Sequence, residues 1–284
     1  MLGAYAELTK PRLTLLVLVT TAAGAYLGSS SIVDPWLVAR TLLGTWLVAS
    51  GASALNQVME CDADAVMRRT QSRPIPSGRM QPLEALRFGV AFAIAGLVVL
   101  ALGVNLLTSV LAAVTLASYL FLYTPMKRRT ALCTLVGAVP GAIPPMIGWA
   151  AVRGTLTVEA WVLFAVLFLW QLPHFLAIAW LYREDYERAG FPMLPVIEPD
   201  GGSTARQAVL YAAALLPVSL LPTVLGLSGA VYFIGALLLG VAFLVIGSGL
   251  LSERTRARAV RLFVASIAYL PLLLTLMVCD KVLA

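Results

Sequence analysis

Nine stretches of roughly 20 mostly apolar residues follow one another along this chain, at 11–29, 36–57, 85–103, 106–124, 132–151, 158–181, 208–226, 229–250 and 261–279. No other feature narrows the fold so far. About 20 such residues in a helix cross the hydrocarbon of a bilayer. Inside it the backbone must satisfy its own hydrogen bonds, which only helices and closed barrels do. The runs lack the alternation of barrel strands. The expected fold is therefore all-α, a polytopic membrane protein of about nine transmembrane helices. Little lies outside the runs, so residues 1–284 are expected to form a single integral membrane domain. A mean hydropathy of +0.91 fits this and excludes an ordinary soluble domain.

Charge gives the orientation. All but three of the 20 Lys and Arg lie at the N-terminus or after the second, fourth, sixth and eighth runs; Arg40, Arg153 and Lys281 are the exceptions. The positive-inside rule then puts the N-terminus in the cytoplasm and the C-terminus on the periplasmic side. The opening MLGAYAELTKPRLTLL has neither transit-peptide character nor a clear cleavage site, so the first run is expected to remain as a span. A bacterial inner membrane is the expected location. The net charge of +6 follows from this asymmetry and needs no nucleic acid as partner. Cys61, Cys133 and Cys279 show no metal-type spacing, and the first two fall on the side where disulfides are disfavoured.

One segment stands apart from this oily background. NQVMECDADAVMRRTQSRPIPSGR, residues 56–79, holds three acids and four arginines in a chain that is only 12% charged. If the second span continues as a helix, Asn56, Glu60 and Asp64 drift only about 40° per step of four and share one stripe. Asp62 points elsewhere. Oxygen ligands in that pattern suit Mg²⁺, which is held by one or two carboxylates, waters and substrate phosphates. The plainer reading is a solvated helix end with an i,i+4 pair such as Asp64–Arg68.

A second acidic group follows the sixth run in WQLPHFLAIAWLYREDYERAGFPMLP, with Glu184, Asp185 and Glu187 on the same side as the first. Each group opens a segment of roughly 25 residues, a length that is often functional. Ionisable groups at the hydrocarbon edge usually mark a site. Lys127, Arg128 and Arg129 in YTPMKRRT end the fourth run on that side. Alone they read as a topology signal; beside the carboxylates they suit a diphosphate clamp. In GAVPGAIPPMIGW, Pro140, Pro144 and Pro145 cannot all lie in a regular helix interior, so a broken span is expected, as a cavity wall or a simple kink. His174, the only histidine, stands eleven residues before Asp185. On one helix that is about 1100°, which would put both on one line facing the same cavity.

The Asn56-x-x-x-Glu60-x-x-x-Asp64 pattern followed by RRTQSRPIPSGR resembles the UbiA-type intramembrane prenyltransferases. The segments WQLPHFLAIAWLYREDYERAGFPMLP, YTPMKRRT and PGAIPPMIGW are similar to the branch that farnesylates protohaem IX. The resemblance runs from about Leu13 to the end of the sixth span and continues weakly beyond. It implies a Mg²⁺-dependent enzyme that moves the farnesyl group of farnesyl diphosphate onto a vinyl group of haem B. Water then adds, giving haem O and diphosphate; haem B is a substrate, not a cofactor. It assigns Asn56, Glu60, Asp64 and Asp185 to catalysis and metal binding. Arg68, Lys127, Arg128, His174, Tyr182, Glu184 and Tyr186 would bind substrate. Pathway logic adds a downstream haem A synthase as a partner.

Three departures matter. Glu60 stands where much of the superfamily has Asp. Tyr182 and Tyr186 occupy the ends of a motif that elsewhere reads D-x-x-x-D. Cys133 stands where many relatives would have Asn. The implied architecture is two four-helix halves plus a last helix, around a central cavity open to the cytoplasm. Competing readings are another UbiA-type transfer, to an aromatic quinone precursor or a chlorin, and a secondary transporter. A transporter would place its ionisable groups near the midplane rather than at one surface.

Overall fold

The computed structural model describes residues 2–30 and 34–282. A short helix α1 (Leu2–Leu8) precedes α2 (Pro11–Gly28), α3 (Pro35–Met59) and α4 (Cys61–Val66). Then come α5 (Pro82–Gly103) and α6 (Leu106–Ala117), which widens into a π-helical turn (Ser118–Tyr123) before α7 (Thr124–Met126). The rest are α8 (Cys133–Ala142), α9 (Pro144–Arg153), α10 (Val158–Leu181), α11 (Arg183–Arg188), α12 (Leu194–Ile197), α13 (Gly202–Val224), α14 (Ala230–Ser252) and α15 (Arg256–Cys279). Nine helices among the described residues are long and apolar enough to cross a membrane, with Leu106–Met126 and Cys133–Arg153 each counted as one span. No strand forms among them; one antiparallel bridge joins Ser228 and Lys281.

Local chemistry fixes the ends of these helices. Pro11, Pro35 and Pro82 open α2, α3 and α5, where a missing N–H has no helical partner to lose. Asp34, Asn105 and Thr255 accept from Trp36, Thr108 and Arg258 backbone N–H groups as N-caps. Gln81 and Glu84 close a capping box on α5. The fifth span is broken, as its prolines require. Pro140 stays inside α8, the chain bends at Ile143, and Pro144 opens α9. The seventh and ninth spans begin about five residues earlier than their hydropathy suggests, because Ser203, Thr204, Arg206, Arg256 and Arg258 extend the helices past the apolar stretch.

Successive spans pack on one another and α15 returns to α2. The fifth and sixth spans are the most enclosed, 72% and 61% buried. Between α3 and α5 the backbones nearly touch at glycine. A Cβ at Gly51 would lie 2.7 Å from Gly89 O, and one at Gly96 would lie 2.7 Å from Gly44 O. Lipid gives no hydrophobic drive for helices to associate, so this close approach supplies dispersion contact instead. Gly148 does the same against Thr21 O, which fastens α9 to α2.

Candidate active site

The acid-bearing end begins where α3 stops. Glu60 leaves helical geometry (φ −106°, ψ 11°), yet Glu60 N donates to Asn56 O at 3.0 Å and Asp64 N to Glu60 O at 2.8 Å. These two four-residue steps carry the stripe through the break. Asn56, Glu60 and Asp64 are therefore all buried, at 1%, 4% and 0% exposure. A burial this deep is costly for two carboxylates unless cations or ligands meet them. The plainer expectation, an exposed Asp64–Arg68 pair, does not hold. Asp64 instead pairs with Arg73, whose NH1 is 2.5 Å from Oδ2.

Two more cations converge. Lys127 Nζ lies 2.8 Å from Glu60 Oε1 and 3.1 Å from Oε2, and 4.5 Å from the centre of the Tyr123 ring. Its angles direct the hydrogen bond to Oε2. Burial works against the Lys127 ammonium, but Glu60 and Tyr119 outweigh it and hold its pKa above the ordinary value. Lys10 Nζ donates to Asn56 Oδ1 at 3.2 Å, and Asn56 Nδ2 donates to Thr124 Oγ1 at 3.1 Å. Burial, with Arg73 and Lys127 close by, pushes Lys10 down to about 7. Lys10 is also the only non-glycine residue with positive φ (46°) among the described residues. Such strain persists only where the surroundings enforce it, commonly at functional sites.

The segment after the sixth span closes over this cluster. Asp185 Oδ1 accepts from the backbone N–H of Arg68 at 3.1 Å and also pairs with Arg188. Arg69 lies over both Tyr182 and Tyr186, 5.1 and 5.7 Å from the ring centres, and its NH2 is 3.4 Å from the Tyr186 hydroxyl. Tyr186 and Tyr123 pack on one apolar cluster of Ala63, Met67, Cys133, Phe191 and Met193. The two acid-tipped segments thus meet on one side of the molecule.

Other expected residues sit elsewhere. Arg128 pairs with Asp62 at 2.6 Å on the exposed surface, and Glu184 and the Arg68 side chain are exposed. Among the described residues His174 and Asp185 share no contact partner. The chain passes Tyr182 with two four-residue bonds, Tyr182 N to Ile178 O and Tyr186 N to Tyr182 O, and Asp185 meets Arg68 and Arg188. The His174 ring stacks between Trp170 and Phe263, and Nδ1 lies 2.7 Å from Ser266 Oγ. Ser266 Oγ gives its one proton to Phe263 O at 2.6 Å. It can only accept from His174, so Nδ1 carries the proton and Nε2, which has no partner, keeps a lone pair. The residues that sequence reasoning missed are Lys10, Arg69, Arg73 and Thr124. Lys10 and Arg73 left one legible trace, a basic residue beside a proline, in KPR and SRP; Arg69 and Thr124 left none.

Among the described residues no three His, Cys, Asp or Glu side chains already form a metal cage. One observation nevertheless fits a divalent cation: Asp64 Oδ1 is sealed from solvent with no hydrogen-bond partner, and Glu60 Oε1 has only the Lys127 charge. By contrast both ends of the Asn56 amide are engaged, and Asp185 Oδ1 is engaged twice. Hard oxygen atoms beside lysines and arginines can hold a cation and a diphosphate together.

Known proteins agree in fold and sequence. Residues 17–271 match the UbiA prenyltransferase family. A protoheme IX farnesyltransferase from Solibacter usitatus (strain Ellin6076) is 55% identical over 98% of both chains, and one from Koribacter versatilis (strain Ellin345) is 44% identical over 99% of this chain and 94% of that one. A digeranylgeranylglyceryl phosphate synthase structure superposes with a TM-score of 0.83 at 19% identity, covering 98% of each chain. A UbiA homolog from Archaeoglobus fulgidus bound to DMAPP and Mg²⁺ gives 0.69 at 13% identity, covering 96% of this chain and 98% of that one. This chain belongs to the UbiA prenyltransferase family, alongside its protoheme IX farnesyltransferases.

Proposed function

We propose that the protein transfers the farnesyl group of farnesyl diphosphate to a vinyl group of haem B. The allylic C–O bond breaks and diphosphate leaves. The vinyl carbon bonds to the farnesyl carbon, and water adds to the remaining cation with loss of a proton, giving haem O. The observation that carries this reading is the buried meeting of Glu60 and Asp64 with Lys10, Arg73 and Lys127, in a chain whose relatives bear that activity in their names.

Each residue then has a task. Asp64 and Glu60 would hold Mg²⁺, with Asn56 and Asp185 in the same wall. When bound, Mg²⁺ would offset the negative charge on the departing diphosphate. Lys10, Arg73 and Lys127 would bind diphosphate oxygens and stabilise the same charge as it grows. Tyr182 and Tyr186, with the segment that carries Arg68 and Glu184, would cover the site and keep water from the carbocation. Arg128 belongs to the surface pair with Asp62 and drops out of the binding set. His174, with its Nε2 lone pair, would address the haem acceptor. The acids gather at one end, not at the midplane, which favours this chemistry over transport. We place that end at the cytoplasmic face of a bacterial inner membrane, with the chamber opening there.

Pigment analysis tests the assignment. Membranes that carry the protein, supplied with haem B and farnesyl diphosphate, should accumulate haem O. Haem B left unmodified by folded protein would refute it.

A further inference from the structure

The second acidic segment is poorly made for a metal. Of its carboxylates, Glu184 and Glu187 are exposed, and Asp185, the buried one, engages Oδ1 with both the Arg68 N–H and Arg188. The side chains on either side of Asp185 in the motif are tyrosines, and their rings hold a guanidinium instead. We propose that this site works with one divalent cation, held by Asp64 and Glu60, and that Arg69, lying over the rings of Tyr182 and Tyr186, supplies the positive charge that a second cation would bring. The inference rests on the cluster receiving a prenyl diphosphate, and it concerns how that group is neutralised.

Charge pairing supports it. Glu60 is offset by Lys127, Asp64 by Arg73 and Asp185 by Arg188. Lys10, which burial holds at about 7, and the exposed Arg69 are left without an acidic partner, between about one and two positive charges. A diphosphate monoester carries about three negative charges near neutral pH. One divalent cation therefore brings the occupied site close to neutrality. A second would leave about two to three uncompensated positive charges beside the buried carboxylates Glu60 and Asp64, where a surplus of charge is penalised.

Position supports it as well. Tyr123 carries Lys127 over its ring, Tyr186 carries Arg69, and the two tyrosines pack on one apolar cluster. Arg69 and Lys127 are thus brought to the same pocket from two separate segments. A guanidinium presents a planar fork of donors that matches two phosphate oxygens at once. The two rings hold the group, and only its NH2 meets a protein acceptor, the Tyr186 hydroxyl, so its other donors stay available for phosphate oxygens.

The test counts bound metal directly. The purified full-length protein is titrated with Mn²⁺ in the presence of inorganic diphosphate and followed by electron paramagnetic resonance. One tightly held Mn²⁺ per chain is expected, with no spin coupling between ions. Asp64→Asn should lose it and Asp185→Asn should keep it. Arg69→Ala should weaken diphosphate binding at least about tenfold while the Mn²⁺ count stays at one. Arg69→Lys, which keeps the charge without the fork, should fall between; it also serves if the alanine variant does not fold. A coupled pair of Mn²⁺ ions, loss of the ion in Asp185→Asn, or unchanged diphosphate affinity in a folded Arg69 variant would overturn the proposal. Coupled ions in a protein that still makes haem O would refute this inference alone. Failure to bind diphosphate at all would remove the functional reading with it.

Discussion

The two ends of the molecule hold similar cations and use them differently. At the acid-bearing end, Lys10, Arg73 and Lys127 meet Asn56, Asp64 and Glu60, and Asp64 Oδ1 is left sealed and unpartnered. At the opposite end, Lys281 Nζ donates to Tyr26 O and Ser29 O, each at 2.6 Å, and to Ser29 Oγ at 3.1 Å, while Arg153 Nε donates to Gly28 O. These carbonyls belong to the last turn of α2, where helical partners run out and the dipole is negative. Lys281 therefore has all three of its donors satisfied. Buried charge alone does not mark a site. A buried charged group with an oxygen left without a partner, as Asp64 Oδ1 is, does, because something else must complete it.

If that distinction is right, the two ends should fail in different ways. Asp64→Asn should lower turnover about 10²- to 10³-fold, measured as haem O formed per folded molecule, and leave the thermal midpoint unchanged or raised. The amide oxygen still accepts from Arg73, and the exchange removes the oxygen that has no partner, which offsets the lost charge pairing with Arg73. A variant that loses midpoint and rate together would make Asp64 structural. Lys281→Met should do the reverse. It should cost about 1–2 kcal/mol of stability, as α2 loses the cation on its last carbonyls, while the rate per folded molecule holds. A large fall in rate at constant midpoint would place Lys281 in the chemistry and erase the contrast.

Much of this was legible because hydrophobic length is a coarse and additive signal. Nine runs gave nine spans, and the prolines of the fifth announced its break at Ile143. The stripe of Asn56, Glu60 and Asp64 survived its helix break because the four-residue hydrogen bonds continue through Glu60. Four-residue bonds also continue through Tyr182, yet His174 and Asp185 keep separate partners, Ser266 for the first and Arg68 with Arg188 for the second, which a turn count does not encode. Arg128 and Lys127 are neighbours in sequence, yet one turns to exposed Asp62 and the other to buried Glu60. Lys10, Arg69 and Arg73 were illegible for a related reason. Lys10 and Arg69 reach partners on other segments, and Arg73 reaches Asp64, nine residues back, through a turn rather than a helical step.

The smallest effect tests the exposed limit of the comparison. Glu7 and Arg79 pair at 2.7 Å, bidentate, but both are about half exposed in their side chains. Arg79, through its hydrogen bonds, holds the Glu7 carboxyl below the usual carboxylate range. A carboxylate with a lowered folded pKa contributes stability above its unfolded pKa and loses it as the pH falls through the folded value. Water screens a pair this exposed, so its contribution should be slight. Glu7→Gln should lower the thermal midpoint at pH 7 by less than Lys281→Met does, and the gap to the unmodified protein should close as the pH falls below the carboxylate range. A gap that persists there would mean that Glu7 acts through packing rather than charge. A gap as large as that of Lys281→Met would mean that exposure does not separate the pairs that hold this fold together from those that do not.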